Sequence, residues 1–315
     1  MSNPSPICLF VYKRLLETKL TIQALEKNHL AKESELYIFS DGPKNEKDIQ
    51  QVEEVRNYIK EVVGFKKVVI NISNENKGLA KSIINGVSSI LELNESVIVL
   101  EDDLLTSPNF LIFMNEALTA FEHRNDIQSI NGYSPFIKAS DTLESDVYLH
   151  YRTFSWGWAT WRSSWSPEIF LKQKINHEIN QQTLIDFDLK CGHDMSVMLK
   201  SALAGKIDSW YIYWAYDHFK NNRLAVYPYL SKIDNIGYGV ESTHCDGVLT
   251  IISKFDTAGN REFKLPKNIS KYDQTIKNVN YYFTKKHKFL FRIKMLRKLK
   301  NYPILFREIK KKFLK

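Results

Sequence analysis

Apolar residues follow two rhythms along this chain. Short continuous runs, Ile7-Cys8-Leu9-Phe10-Val11-Tyr12, Leu36-Tyr37-Ile38-Phe39, Lys67-Val68-Val69-Ile70-Asn71-Ile72 and Val97-Ile98-Val99-Leu100, read as strands. Between them lie stretches of helical character: Leu16 to Lys27, with Leu16, Leu20, Ala24 and Leu25 near helical spacing, a charged stretch from Glu46 to Glu61, and Gly78 to Leu91. Continuous runs suit strands covered on both faces. Strand and helix alternate four times without tight hairpin signals, which predicts a parallel sheet flanked by helices with right-handed crossovers. A further helix is expected from Phe110 to Glu122 and a short strand from Ile127 to Asn131.

The fourth run ends in three acids, Glu101-Asp102-Asp103. In open α/β sheets ligands bind outside the carboxyl ends of the strands, so this is where a divalent cation and a polyanionic substrate are expected. Adjacent carboxylates repel one another and gain from a cation among them. The competing reading is a solvated acidic turn before the helix that Ser107-Pro108-Asn109 would start. No Gly-x-Gly-x-x-Gly follows the first strand and no Gly-x-x-x-x-Gly-Lys-Ser/Thr occurs, so a bound nucleotide must have its phosphates held in another way.

Composition narrows the class. At 315 residues and 43% hydrophobic the chain can bury one large core or two small ones. Cys8, Cys191 and Cys245 are odd in number and far apart, which argues against a disulfide framework or a zinc site and for a reducing, cytoplasmic setting. Neither a signal peptide nor a run of about 18 uncharged apolar residues is read. The net charge of +8 is uneven: residues 285–315 carry thirteen Lys or Arg against one acid, leaving the remainder acidic.

All six tryptophans fall between 156 and 214. Ser155-Trp156-Gly157-Trp158-Ala159-Thr160-Trp161 alternates large and small residues, a pattern that suits either stacking on sugar rings or core packing. Farther on, Asp234-Asn235-Ile236-Gly237 and Glu241-Ser242-Thr243-His244-Cys245 bring acid, amide and imidazole together, and His244 is a candidate ligand for Mn²⁺ alongside the acidic turn.

Over residues 6 to 246 the sequence resembles the GT-A glycosyltransferases, most closely bacterial family-2-type sugar transferases and more distantly N-acetylglucosaminyltransferase I. The resemblance rests on Val11-Tyr12-Lys13-Arg14, Phe39-Ser40-Asp41-Gly42, Asn76-Lys77-Gly78-Leu79, Glu101-Asp102-Asp103, Trp156-Gly157-Trp158, Asp208-Ser209-Trp210, and Asn235-Ile236-Gly237 through Cys245. It implies a Rossmann-like α/β domain over 1–246, with a nucleotide-sugar-binding half (1–135) and an acceptor and catalytic half (136–246), followed by a connecting segment (247–284) and the basic tail (285–315). It further implies that Val11, Tyr12 and Arg14 line the nucleotide pocket, that Asp41 bonds the base, and that Lys77 and Gly78 lie beside base or ribose. Glu101 and Asp102 would belong to the donor site, and Asp103 would ligate Mn²⁺ or Mg²⁺ with His244 as an added contact. Trp156, Gly157, Trp158 and Trp210 would form the acceptor side.

The implied reaction is inverting transfer from a nucleotide diphosphate-sugar, expected to be a UDP-sugar, to an acceptor hydroxyl. The moving sugar would be a hexosyl or N-acetylhexosaminyl group. Where the N-acetylglucosaminyltransferase I pattern has an aspartate directly after the tryptophan matching Trp210, this chain has Tyr211. The bacterial relatives carry Asp-Ser-Trp, as this chain does, so the resemblance implies Asp208 as the first candidate for the base, with a helix N-cap as its structural alternative; Asp194 and Asp217 are the others. The rival readings are a nucleotidyltransferase and a membrane-attached nucleotide-sugar-binding protein without turnover.

In the tail, Phe289, Leu290, Ile293 and Leu296 lie near one helical face among Lys288, Arg292, Lys294, Arg297 and Lys298, and Leu305, Ile309 and Phe313 repeat the arrangement. This is the composition of a helix lying on anionic lipid. It fits a protein peripherally attached to the inner face of a membrane and a lipid-linked glycan acceptor of cell-surface polysaccharide synthesis. The acidic remainder offers no basic groove for nucleic acid.

Overall fold

β1 (Ile7–Val11) is buried at every position because strands flank it on both edges and helices cover both faces. In this computed structural model, which describes residues 3–138, 144–237 and 250–296, the chain continues through α1 (Leu15–Glu26), β2 (Glu35–Ser40), α2 (Ile49–Ile59), β3 (Lys67–Ile72), α3 (Leu79–Leu91) and β4 (Ser96–Glu101). β3, β2, β1 and β4 lie side by side and all parallel, in register Ile7↔Leu36 and Ile7↔Ile98. The side-chain period of two divides the core. Ile7, Leu9, Val11, Ile98 and Leu100 face one layer with α1 and α2, while Cys8, Phe10, Val97 and Val99 face α3 and the tryptophans.

The second half extends the same sheet. β5 (Leu104–Thr106) and α4 (Phe110–Phe121) lead to β6 (Ile127–Asn131), β7 (Val147–His150) and β8 (Trp158–Trp161). Four helices follow, α5 (Lys172–Glu178), α6 (Gln181–Cys191), α7 (Met195–Leu203) and α8 (Trp210–Lys220), then β9 (Leu224–Pro228), β10 (Ile233–Asn235), α9 (Asp273–Tyr281) and α10 (Lys285–Leu296). The eight-stranded order is β3-β2-β1-β4-β8-β6-β9-β7, with β8 and β7 antiparallel to their neighbours. The mostly parallel α/β sheet flanked by helices is the architecture the apolar rhythm predicts.

Three local expectations are corrected. On α1, Leu16 and Leu20 point outward, 65% and 39% exposed, while Thr18, Thr21, Ile22 and Leu25 are buried. The threonines can face inward because their hydroxyls are satisfied, Thr18 Oγ1 by the Arg14 carbonyl at 2.7 Å and Thr21 Oγ1 by the Asp102 carbonyl at 2.9 Å. The acidic turn does not run straight into a helix, because β5 intervenes and pairs antiparallel with β10. And the tail begins as part of the fold: His287 of α10 is buried with Nε2 2.7 Å from the Thr250 carbonyl, and Lys288 lies 3.7 Å from Asp194. Residues 297–315 lie outside the described residues.

Candidate active site

Glu101 is the last residue of β4, and Asp102 and Asp103 form the turn beyond it. Next to it, at the end of parallel β1, the chain turns through Tyr12, Lys13 and Arg14 before α1. Parallel pairing therefore brings Arg14 to the acids: its guanidinium donates to Asp102 and, at 2.9 Å, to Asp103 Oδ2. The Tyr12 amide donates to Asp102 Oδ2 at 3.4 Å. Burial together with the charges of Asp103 and Asp102 pushes the Glu101 carboxyl well up, toward the protonated form. Burial also pushes Asp102 up, opposed by Arg14.

The second wall is the loop before α3. Asp41, one residue beyond β2, accepts from the amides of Gly42 and Lys77 through Oδ1, both at 2.9 Å. Its Oδ2 accepts from the Gly78 amide at 2.9 Å and from Asn76 Nδ2 at 3.2 Å. Through these four bonds Asp41 braces the Asn76-Lys77-Gly78 loop. Arg56 on α2 supports the brace by donating to the carbonyls of Asp41 and Ser73 at 3.3 and 2.7 Å. Gly78, at φ +78°, adopts a backbone that disfavours other residues. Val11 supplies the wall through its backbone, its carbonyl accepting from the Asp41 amide at 3.3 Å. Tyr12 turns away from the acids: its hydroxyl donates to Asp48 at 3.0 Å and accepts from the Lys44 amide.

Of the three candidate bases, only Asp208 comes to this site. A Cβ built on Gly78 would lie 3.4 Å from Asp208 Oδ2, and the exposed carboxylate accepts no hydrogen bond among the described residues. Its alternative reading as an N-cap fails, since the cap position of α8 is Ser209. Asp194 is corrected to a structural ion-pair member. Burial alone would raise its pKa, but Arg152, 2.8 Å away, outweighs that and holds it below the usual carboxylate range, which suits it poorly for accepting a proton. Asp217 accepts from Gln128 at 2.6 Å. Gln128 lies level with the start of β4, because Ser129 and Val97 both pair with Thr160. That puts Asp217 at the opposite end of the strands from the acids, roughly 16 Å away at the rise of an extended chain.

Two of the expected acceptor tryptophans are core residues. Trp158 and Trp210 are 0% and 3% exposed and stack on each other with ring centroids 5.1 Å apart. Trp165 and Trp214 complete the cluster, which fills the layer between the sheet, α3 and α8. Burying such rings yields more than leaving them wet for a sugar. Trp156 is half-buried against Tyr133, and Gly157, at φ +63°, lies beside Ile233. His244 lies outside the described residues.

Among the described residues no three His, Cys, Asp or Glu side chains are grouped to hold a metal ion. The donors that are present fit a cation brought in with a diphosphate: Asp103 Oδ1 accepts no hydrogen bond among the described residues, while Oδ2 is held by Arg14. The sequence alone gave no sign of the roles of Arg56, Thr21 and Gly237. Gly237 stood in a motif, yet its contact with Asp103 depends on how β10 crosses the sheet.

No protein-family model matches the chain, and no curated protein sequence matches it. Among solved structures, the mannosyltransferase PcManGT from Pyrobaculum calidifontis, in complex with GDP-Man and Mn2+, overlaps 51% of this chain and 47% of its own, with 10% identity and a TM-score of 0.35. TarS of S. aureus overlaps 72% of this chain and 37% of its own, with 13% identity and a TM-score of 0.38. The chain thus spans less than half the length of either, and overlaps at these scores assign no activity.

Proposed function

We propose that this protein transfers a glycosyl group from a nucleotide diphosphate-sugar to an acceptor hydroxyl. The observation that carries the reading is the pairing of Arg14, at the carboxyl end of β1, with Asp102 and Asp103, at the carboxyl end of the adjacent β4. This is the crevice of a doubly wound sheet in which phosphorylated ligands bind. The Asn76-Lys77-Gly78 loop, braced by Asp41, forms its second side and Asp208 its third.

In this reading the loop and the end of β1 seat the nucleoside. A divalent cation, Mn²⁺ or Mg²⁺, held by Asp103 would neutralise charge on the departing diphosphate. Asp208 takes the proton of the acceptor hydroxyl as its oxygen bonds the anomeric carbon and the bond to the diphosphate breaks, giving inversion; general-base action of this kind contributes roughly 10² to 10⁴ in rate. A UDP-sugar carrying a hexosyl or N-acetylhexosaminyl group is the donor expected from the resemblance, and a lipid-linked glycan the acceptor.

Peripheral attachment to an anionic membrane face is supported by α10, whose Phe289, Leu290, Ile293 and Leu296 are 64%, 46%, 41% and 51% exposed among lysines and Arg292. Among the described residues no helix is long and apolar enough to cross a membrane.

A thermal-shift screen of nucleotide diphosphate-sugars with and without Mn²⁺ tests the reading, because a ligand of the native state raises its melting temperature. A metal-dependent shift with a sugar nucleotide, followed by nucleotide diphosphate release when acceptor is added, is the expected result. Stabilisation by nucleoside triphosphates with release of pyrophosphate would replace it with nucleotidyl transfer.

A further inference from the structure

Residues 233–237 cross the carboxyl ends of the central strands at a distance that only glycines allow. A Cβ on Gly132, just past β6, would lie 2.9 Å from Ile233 Cγ1, and one on Gly157, just before β8, only 2.6 Å from the same atom. Ile233 is fully buried between them. The segment is pinned along its length: the Lys232 amide donates to the Gly132 carbonyl at 2.8 Å, and β10 pairs with β5 from Ile233↔Thr106 to Asn235↔Leu104. The Ile236 amide then donates to the Asp103 carbonyl at 3.0 Å. Just before it, the Lys232 ammonium is buried in an ion pair with Asp256 and anchors the near end.

The far end bears on the acidic turn. A Cβ on Gly237 would lie 1.9 Å from Asp103 Oδ2 and 2.7 Å from its Cγ, closer than any real side chain is found. Gly237 does not have a positive φ, so glycine is needed there for room and not for conformation. Its amide donates to Asn235 Oδ1 at 2.8 Å, which fixes the turn that brings it in. Asp103 Oδ2 therefore accepts from Arg14 at 2.9 Å and lies where a side chain on residue 237 would be.

We infer that residues 233–237 form a strap that sets the Asp103 carboxylate, with Gly237 as its positioning residue. The strap leaves Oδ1 as the oxygen available to the donor's diphosphate and its cation. It also joins the halves of the molecule, since Ile233 rests on the ends of β6 and β8 while Gly237 rests on the turn after β4. The functional part of this inference rests on the donor-site reading above.

The test is Gly237→Ala, with Leu93→Ala as its control, because Leu93 is 84% exposed in the turn before β4, at the opposite end of that strand from the acids. Calorimetry with UDP and GDP, each with Mn²⁺, reads affinity without turnover. The expected result is a ten- to hundredfold loss for Gly237→Ala, the size typical of residues that orient a ligating group, with no loss for Leu93→Ala. In a turnover assay the donor KM should rise while the acceptor KM stays put. A crystal structure of Gly237→Ala should have Asp103 turned off Arg14. Unchanged affinity with Asp103 in place overturns the inference and leaves the donor-site reading standing. If the wild-type protein binds no nucleoside diphosphate, the donor-site reading falls instead, and the position of Asp103 in the variant crystal still decides whether the strap sets it.

Discussion

The Arg14 guanidinium lies 2.9 Å from Asp103 and also bonds the buried Asp102, so a cation from the end of one strand compensates the acids at the end of its neighbour. Removing one member of such a group leaves charge without compensation, which commonly costs about 3 kcal/mol or more. Arg14→Ala should therefore lower stability by about 2 to 4 kcal/mol in urea unfolding. Millimolar Mn²⁺ should restore more stability to the variant than it adds to the wild type. Equal stability of the two proteins would mean that the acids are neutralised in another way.

Asp103 and Asp208 should separate binding from turnover. Asp103→Ala should weaken nucleotide diphosphate binding in the presence of Mn²⁺ and abolish transfer. Asp208→Asn should keep donor affinity and lose roughly 10² to 10⁴ in kcat, the size of a general-base contribution. Asp194→Asn and Asp217→Asn should leave a donor-hydrolysis assay nearly unchanged wherever the protein remains folded, since Arg152 engages the first and the second lies level with the start of β4, away from the acids.

Asp41→Ala should loosen the Asn76-Lys77-Gly78 loop, which loses three bonds to the carboxylate. The donors released can turn to water, so the stability cost should be modest, about 1 to 2 kcal/mol. The larger effect should be on the donor: its KM should rise several-fold with kcat less affected. A variant with unchanged KM would separate the loop from the nucleotide.

Acid should destabilise the fold through two histidines. His218, between Ser129 Oγ and the Trp214 carbonyl at 2.9 Å each, and His150 are buried, and burial lowers each pKa from the ordinary 6.5 to about 3. The unfolded chain takes up protons on both below about pH 6.5 while the native chain does not, so their contribution is complete above that pH and is lost as the pH falls toward 3. Each should cost about 2 kcal/mol by pH 5. Glu101 and Asp102, pushed up by burial, work in the opposite direction over the same pH range, so the histidine contribution is read as a difference: the stability of wild type relative to His218→Gln, from urea midpoints at pH 7.5, 6 and 5, should fall steadily toward pH 5.

The apolar stripe of α10 should matter for lipid and not for folding. Phe289→Ser with Ile293→Ser should release the protein from vesicles containing anionic lipid, while the melting temperature stays within a few degrees because both side chains are more than 40% exposed. Binding that is equal on neutral and anionic vesicles would discount the lysines.

The sequence by itself determined the layered architecture. Runs such as Val97 to Leu100 and Ile7 to Val11 are apolar without interruption because they are covered on both faces, and that coverage is a local property of composition. It also determined that acids end the fourth strand, since strand and acids are contiguous. Tertiary structure decided what those acids touch. Arg14 and Asp102 are far apart in sequence and meet only because β1 and β4 pair in parallel, and Gly237 meets Asp103 only because β10 crosses the strand ends. It decided as well which aspartate is free. Asp41, Asp194, Asp208 and Asp217 are alike as letters, but four hydrogen bonds engage the first, Arg152 the second and Gln128 the fourth, and only Asp208 is left open beside Gly78. Periodicity reports which face of a segment is dry; it carries no information about which distant partner fills a lone pair, and only the packing of the strands supplies that.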